Sequence, residues 1–228
     1  VLVERHFETE LKSLKELILN MGSYVEKSIE QACAAISGRE VSRFDRVHEY
    51  EKRINESHKQ VDKQCLQMLA RQAPVAADLR LILVIVKINS DLERMGDQAC
   101  NIAHNGKDYL SRPPVETKTD LVVMASVVKQ MVRESLDAFV RRDVSISRQV
   151  LERDDQVDRA KNEMFRELKE YMKSHPHEID SCLDLILIAR NLERLGDHAT
   201  NIAEAVIFLA TGDDIRHGNN PSLRPSAT

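Results

Sequence analysis

Residues 91–103 read D-L-E-R-M-G-D-Q-A-C-N-I-A, and residues 191–203 read N-L-E-R-L-G-D-H-A-T-N-I-A. Nine of the thirteen positions are identical at a spacing of one hundred: Leu92, Glu93, Arg94, Gly96, Asp97, Ala99, Asn101, Ile102 and Ala103 each meet their own kind. A repeat of this period implies two copies of one structural unit, so it fixes the architecture before any element is read. The repeated part is chemically unusual. It carries two carboxylates at i and i+4 beside a glycine in mid-helix, where glycine costs about 1 kcal/mol relative to alanine.

Working outward from the repeat, the apolar spacing predicts long helices. Phe7, Leu11, Leu14, Ile18, Met21, Val25, Ile29, Ala32 and Ile36 step by threes and fours, a single seam that predicts a helix from about Glu4 to Ser37 capped by Gly38. A second helix, Val41 to Arg71, has its seam through Phe44, Val47, Glu51, Ile54, His58, Val61, Cys65 and Met68, and turns at Gln72-Ala73-Pro74. The third starts near Pro74, a favoured first-turn residue, and is apolar nearly all round from Leu79 to Ile88, the mark of the most buried helix of its unit. Its β-branched run suits a strand locally, but the helical pattern continues past Ile102. After Ser111-Arg112-Pro113-Pro114 the pattern repeats: a fourth helix through Leu121, Met124, Val128, Met131 and Ala138; a fifth through Val150, Asp154, Val157, Lys161, Met164, Leu168 and Tyr171; a sixth from about Pro176. The fold class is therefore all-α, two tandem three-helix bundles with helices of about 30 residues, each roughly 45 Å long. The expected boundaries are 1–111 for the first bundle, 112–120 for a linker, 121–211 for the second bundle, and 212–228 for a disordered tail rich in Gly, Asn, Pro and Ser.

Composition narrows the function. Thirty-three basic residues against thirty-seven acidic ones give a net charge of -4, and there is no tryptophan, so neither phosphate backbones nor bases are well served. Nucleic acid is not an expected partner. The four cysteines (Cys33, Cys65, Cys100, Cys182) lack C-x-x-C spacing and sit in apolar patterns, as reduced core thiols of a cytosolic protein do. The N-terminus has no signal-peptide pattern, and apolar runs such as Leu81 to Val86 are too short to span a bilayer. A cytoplasmic location is expected.

The carboxylates meet other carboxylates. Glu93 and Asp97 share one helix face, as do Glu193 and Asp197, and like charges at this spacing repel. Glu51 and Asn55 on the second helix centre on residue 53, Glu93 and Asp97 on 95; their midpoint is Pro74, in the turn. In the second unit Asp154 and Asp158 centre on 156, Glu193 and Asp197 on 195, with a midpoint at His175-Pro176. Equal rise along antiparallel arms brings each pair opposite its mate. Asn101 and Asn201, one turn further on, offer carbonyl oxygens. Oxygen donors gathered between bundle helices are a known way to hold metal ions. The competing reading is a salt-bridge network fed by Arg94, Arg194, Lys52 and Arg53; the double occurrence at matched height favours metal. Gly96 and Gly196 then mark close approach of a helix or of the ion. His58 reads as a satisfied core or interface histidine, His198 as facing solvent, and Arg80 as pairing with Asp78 or holding an anion.

These motifs resemble the PhoU family of bacterial phosphate-signalling regulators. The matching parts are R-H-F-E-T-E-L at 5–11 with Met21-Gly22, P-V-A-A-D-L-R at 74–80, D-L-E-R-M-G-D at 91–97, and A-R-N-L-E-R-L-G-D-H-A-T-N-I-A-E at 189–204. The resemblance implies two three-helix bundles with an E(D)xxxD motif that holds iron or zinc, multinuclear sites included. It carries over to Glu51, Glu93, Asp97, Asp154, Asp158, Glu193 and Asp197; Asn55 replaces the final acid of one motif, which leaves the first site one charge short. It also implies a non-enzymatic negative regulator of phosphate uptake and of the starvation response. Such a regulator links the ATPase subunit of the phosphate ABC transporter to a sensor histidine kinase. It acts as a homodimer and meets the membrane only through partners. A ferritin-like di-iron enzyme is the rival, but none of the eight histidines has the Glu three positions before it that such a site needs. A metal-free helical scaffold is the third reading.

Overall fold

A computed structural model describes residues 2–72, 74 and 76–215, with side chains described from Glu8 onward except at Gln72. It contains six long helices: α1 (Leu2–Gly38), α2 (Arg43–Gln72), α3 (Ala76–Leu110), α4 (Leu121–Arg141), α5 (Val144–Ser174) and α6 (Ile179–Thr211), with a 3-10 turn at Pro176–Glu178. There is no strand among the described residues, so the β-branched run of α3 is helical, as its longer period required. No helix of the described residues is long and apolar enough to cross a membrane.

Helix ends follow local chemistry. Asp120 caps α4 by accepting from the Val122 N–H at 2.7 Å, and Asp143 caps α5 by accepting from Ser145 and Ile146. Gly212, at φ 83°, closes α6 in the left-handed conformation that glycine adopts without cost. The expected cap at Gly38 is displaced: Gly38 is the last helical residue, and Arg39 takes the left-handed conformation at φ 52°. The guanidinium of Arg39 donates to the carbonyls of Leu110 and Arg112 at 3.0 and 2.7 Å, contacts that hold this backbone in place. Pro74 precedes α3, which starts at Ala76, rather than occupying its first turn; Ala73 and Val75 lie outside the described residues. So do Phe7's side chain and residues 216–228 of the expected tail.

Each unit buries its seam. Leu14, Ile18, Met21, Val25 and Ile29 of α1 are fully buried against α2 and α3, and Met124, Val128 and Met131 of α4 are buried against α5 and α6. The units share one core: α1 packs on α4, and α3 on α6 makes the most extensive helix pair in the molecule. That pair is antiparallel. Phe208 near the end of α6 lies under Arg80 and Lys87 near the start of α3, His198 meets Asp91, and Asp184 near the start of α6 meets Arg112 just beyond α3. Residues 111–120 between the units run outside helix yet are anchored, with Val115 buried and its N–H donating to the Tyr109 hydroxyl.

Candidate metal centres

The hairpins meet in the register that the sequence symmetry requires. In the first, Cys100 lies 3.7 Å from His48, and the Asn89 amide donates to the His58 carbonyl at 3.1 Å; both pairs are centred on position 74 or within half a residue of it. In the second, a Cβ on Gly196 would stand 3.1 Å from an Asp154 carboxylate oxygen, and Lys161 reaches Glu193 at 2.9 Å. Gly96 has the same role against its own neighbour: a Cβ there would stand 3.1 Å from Ile54 Cδ1. Both glycines therefore let the second helix of each hairpin approach the third closely. That approach accounts for a residue of low helix propensity in mid-helix.

The second centre concentrates negative charge. The Asp154 carboxyl is pushed up to about 6 by burial first, then by the charges of Asp197, Asp158 and Glu193. The carboxyl of Asp197 is also raised, by burial and then by Glu193 and Asp158. Asp154, Asp158, Glu193 and Asp197 are therefore close enough to repel one another. Part of the charge is met by Lys161, whose ammonium donates to Glu193 at 2.9 Å and to Asp158 at 3.3 Å. Lys161 occupies a seam position of α5, and its spacing of three from Asp158 was visible in the sequence. Its reach to Glu193 depends on the hairpin register.

The first centre is weaker. Asn55 donates its amide to Glu51, so the residue that replaces an acid is satisfied by the acid beside it. Glu51 and Asp97 both act on Cys100, whose thiol is pushed up to about 12, chiefly by burial and then by those two carboxylates. Glu93 is half-buried and Asp97 exposed on α3. His48 and Cys100 are additions to this neighbourhood that sequence reasoning did not single out. Their signal was a second pair symmetric about position 74.

Asn201 donates its amide to Asp91 of α3 at 3.2 Å, across the units, and Asn101 is exposed. Other expectations change. His198 does not face solvent: its Nδ1 lies 3.0 Å from Asp91, both side chains being about one-seventh exposed or less. The reason is that α6 packs on α3 along the side that carries His198. Among the described residues, Arg94, Arg194, Lys52 and Arg53 make no ion pair with the motif acids, and Arg53 instead sits over the Tyr24 ring. Arg80 lies over Phe208 at 5.6 Å, and among the described residues no ion pair joins it to Asp78. His58 is satisfied, lying 3.4 Å from Asp62 and beside the Asn89 carbonyl. The four cysteines are free thiols, three of them buried.

The donor set of the second centre, four carboxylates and no thiol or imidazole, suits a hard or borderline cation. Lys161 sets a positive charge against two of these four acids, Glu193 and Asp158. Among the described residues no three His, Cys, Asp or Glu side chains already converge at ligand distances. A metal ion held by all four carboxylates would need Lys161 to withdraw and the carboxylates to turn inward.

Comparison with known proteins agrees with this architecture. The family model described as the PhoU domain matches residues 18–105 and 121–206, one match per unit. The chain is 38% identical over 220 residues to the phosphate-specific transport system accessory protein PhoU homolog of Pseudomonas aeruginosa, covering 94% of this chain and 89% of that protein. It is 31% identical over 221 residues to the corresponding accessory protein PhoU of Escherichia coli, covering 97% and 92%. The crystal structure of PhoU from Pseudomonas aeruginosa superposes with a TM-score of 0.87 over 91% of this chain and 100% of that one, at 38% identity. The phosphate transport system regulatory protein PhoU from Streptococcus pneumoniae gives 0.81 over 92% and 99%, at 26% identity. With both units matched and the fold shared throughout, this chain belongs to the PhoU domain family.

Proposed function

We propose that the protein is a cytoplasmic, non-enzymatic negative regulator of phosphate uptake and of the phosphate-starvation response. In this reading it couples the ATPase subunit of the phosphate ABC transporter to a sensor histidine kinase. The observation that carries the reading is the paired carboxylate motif, repeated on both hairpins of a PhoU-domain chain whose relatives are named as phosphate-specific transport accessory proteins. The second centre is the metal site of this reading: Asp154, Asp158, Glu193 and Asp197 would hold iron or zinc. A bound ion would supply the positive charge that these acids lack. The chain's own part is to hold the four carboxylates at one height, with Gly196 admitting Asp154 to the face of α6.

Two measurements test the parts separately. A pull-down with the purified transporter ATPase and the kinase cytoplasmic region should retain this chain; recovery of neither refutes the adaptor role. Elemental analysis of protein purified without chelator should find iron or zinc, reduced in Asp197→Ala. Equal, negligible metal in both proteins refutes the metal site.

A further inference from the structure

The outer face of the α3–α6 pair carries more than the carboxylate centres. On α3, Leu79, Leu83 and Val86 are 39, 48 and 37% exposed; on α6, Ile179, Leu183 and Leu187 are 39, 45 and 40% exposed. The first two of each set are counterparts at a spacing of one hundred. The outer helices repeat the feature, with Leu66 of α2 at 68% and Phe165 of α5 at 50%, ninety-nine positions apart. Isolated exposed apolar residues need no explanation, but a cluster that recurs at matched places in two units does.

Geometry places both clusters on one side of the molecule. Leu79, Leu83, Ser90 and Asp97 fall on a single stripe of α3, because steps of three, four and seven return to the same helix face. The stripe runs from the apolar cluster to the first carboxylate centre, and Ile179, Leu183, Arg190 and Asp197 repeat it on α6. Because α3 and α6 are antiparallel, the two-fold operation that exchanges them has its axis perpendicular to their common plane, so each stripe and its mate project to the same side. Helix rise puts Leu83 and Leu183 ~40 Å apart along the axes, with the two acidic centres between them. In the second unit the link is direct: Phe165 and Ile186 line one shallow cavity with Lys161, Arg190 and Glu193.

We infer that this face docks a homodimeric protein whose two-fold axis lies over the crossing of α3 and α6, with an apolar contact at each end and basic side chains at the centre. The symmetry of the face selects the dimer, since a partner dimer presents one surface twice, as this chain does. The charge selects the centre. With no metal bound, the carboxylates of the two sites (Glu51, Glu93, Asp97, Asp154, Asp158, Glu193 and Asp197) still outnumber the bases of this face (Lys87, Arg94, Lys161, Arg190 and Arg194), so the metal-free face repels a second copy of itself and anionic lipid headgroups while attracting cations. The inference rests on the adaptor reading and adds to it the surface and the stoichiometry.

The test uses the full chain in chelator and two probes, the purified transporter ATPase subunit and the purified kinase cytoplasmic region. Leu83→Lys, Leu183→Lys and the double variant are compared with Val123→Lys, at an apolar position of α4 that is 60% exposed and off this face. All are exposed sites, and circular dichroism checks their fold. The expected result is one copy of this chain per two partner subunits, with each single variant losing affinity by about tenfold, the double losing more, and Val123→Lys unchanged. Binding by the wild type that survives in the double variant leaves the adaptor standing and overturns this face. So does one copy per partner subunit. Loss of self-association in Leu83→Lys would make a second copy the occupant and overturn it as well. Failure of the wild type to bind either probe refutes the adaptor reading itself, and this inference with it.

Discussion

Replacing Asp154 by Asn should stabilise the metal-free protein, and the size of the effect follows from the site. Asn keeps the shape that fits against Gly196 and removes one of four carboxylates. The Asp154 carboxyl is pushed up from 3.8 to about 6 in the folded protein. A group whose folded value is raised holds its proton more tightly in the native state, so wild-type stability falls as pH rises from about 4 to about 6 and the loss is complete above that. The displacement corresponds to at most about 3 kcal/mol at 1.36 kcal/mol per pH unit. The carboxyl is half open to solvent, and screening reduces this to about 1 kcal/mol. For a chain of this length that is ~2–4 °C in Tm. Thermal unfolding in chelator should therefore show Asp154→Asn above wild type by a few degrees at pH 8 and level with it at pH 3.5. With zinc present the order should reverse, because the variant lacks one of the four carboxylates proposed to hold the ion and would gain less from binding. An equal difference at both pH values, or a less stable variant at pH 8 in chelator, would refute the charge-crowding argument.

Three further outcomes test the fold. Phe139, one of the largest fully buried side chains, should cost about 3–5 kcal/mol when cut to Ala, read from urea unfolding, because the cavity cannot collapse. Asp91→Ala removes the acceptor shared by His198 and Asn201 across the units and should cost about 1–2 kcal/mol, whereas the same change at the exposed Asp155 should be near neutral. The thiols of Cys33 and Cys65 are buried and pushed up to about 12 and about 11. They should resist Ellman's reagent at pH 8 until denaturant is added, and fast labelling of either would contradict their placement.

Helix existence and hairpin register were legible because both depend on local periodicity and chain symmetry: the midpoints at Pro74 and His175-Pro176 follow from counting alone. Details settled by packing between units were not legible. His198 reads as a surface residue on its own helix, and only the antiparallel seating of α6 on α3 brings it to Asp91. Arg80 has an acid two positions away in sequence, yet a helix points that neighbour to a different face and packing offers it Phe208 instead. At the second centre, the sequence foresaw four acids at one height but not the ammonium among them. Lys161 joins Asp158 to Glu193 because a long flexible side chain, placed one turn beyond the acids of α5, can bend back across the groove. Gly38 failed as a cap for a similar reason: Arg39 has distant carbonyls to hold it in the left-handed region, which local propensity cannot reveal.

The central claim is regulatory, and the most direct measurement is made in the cell. Deleting the gene and assaying a phosphate-starvation reporter in high phosphate should give strong expression, restored to repression by the wild-type chain. A reporter that stays repressed in the deletion strain would contradict the account.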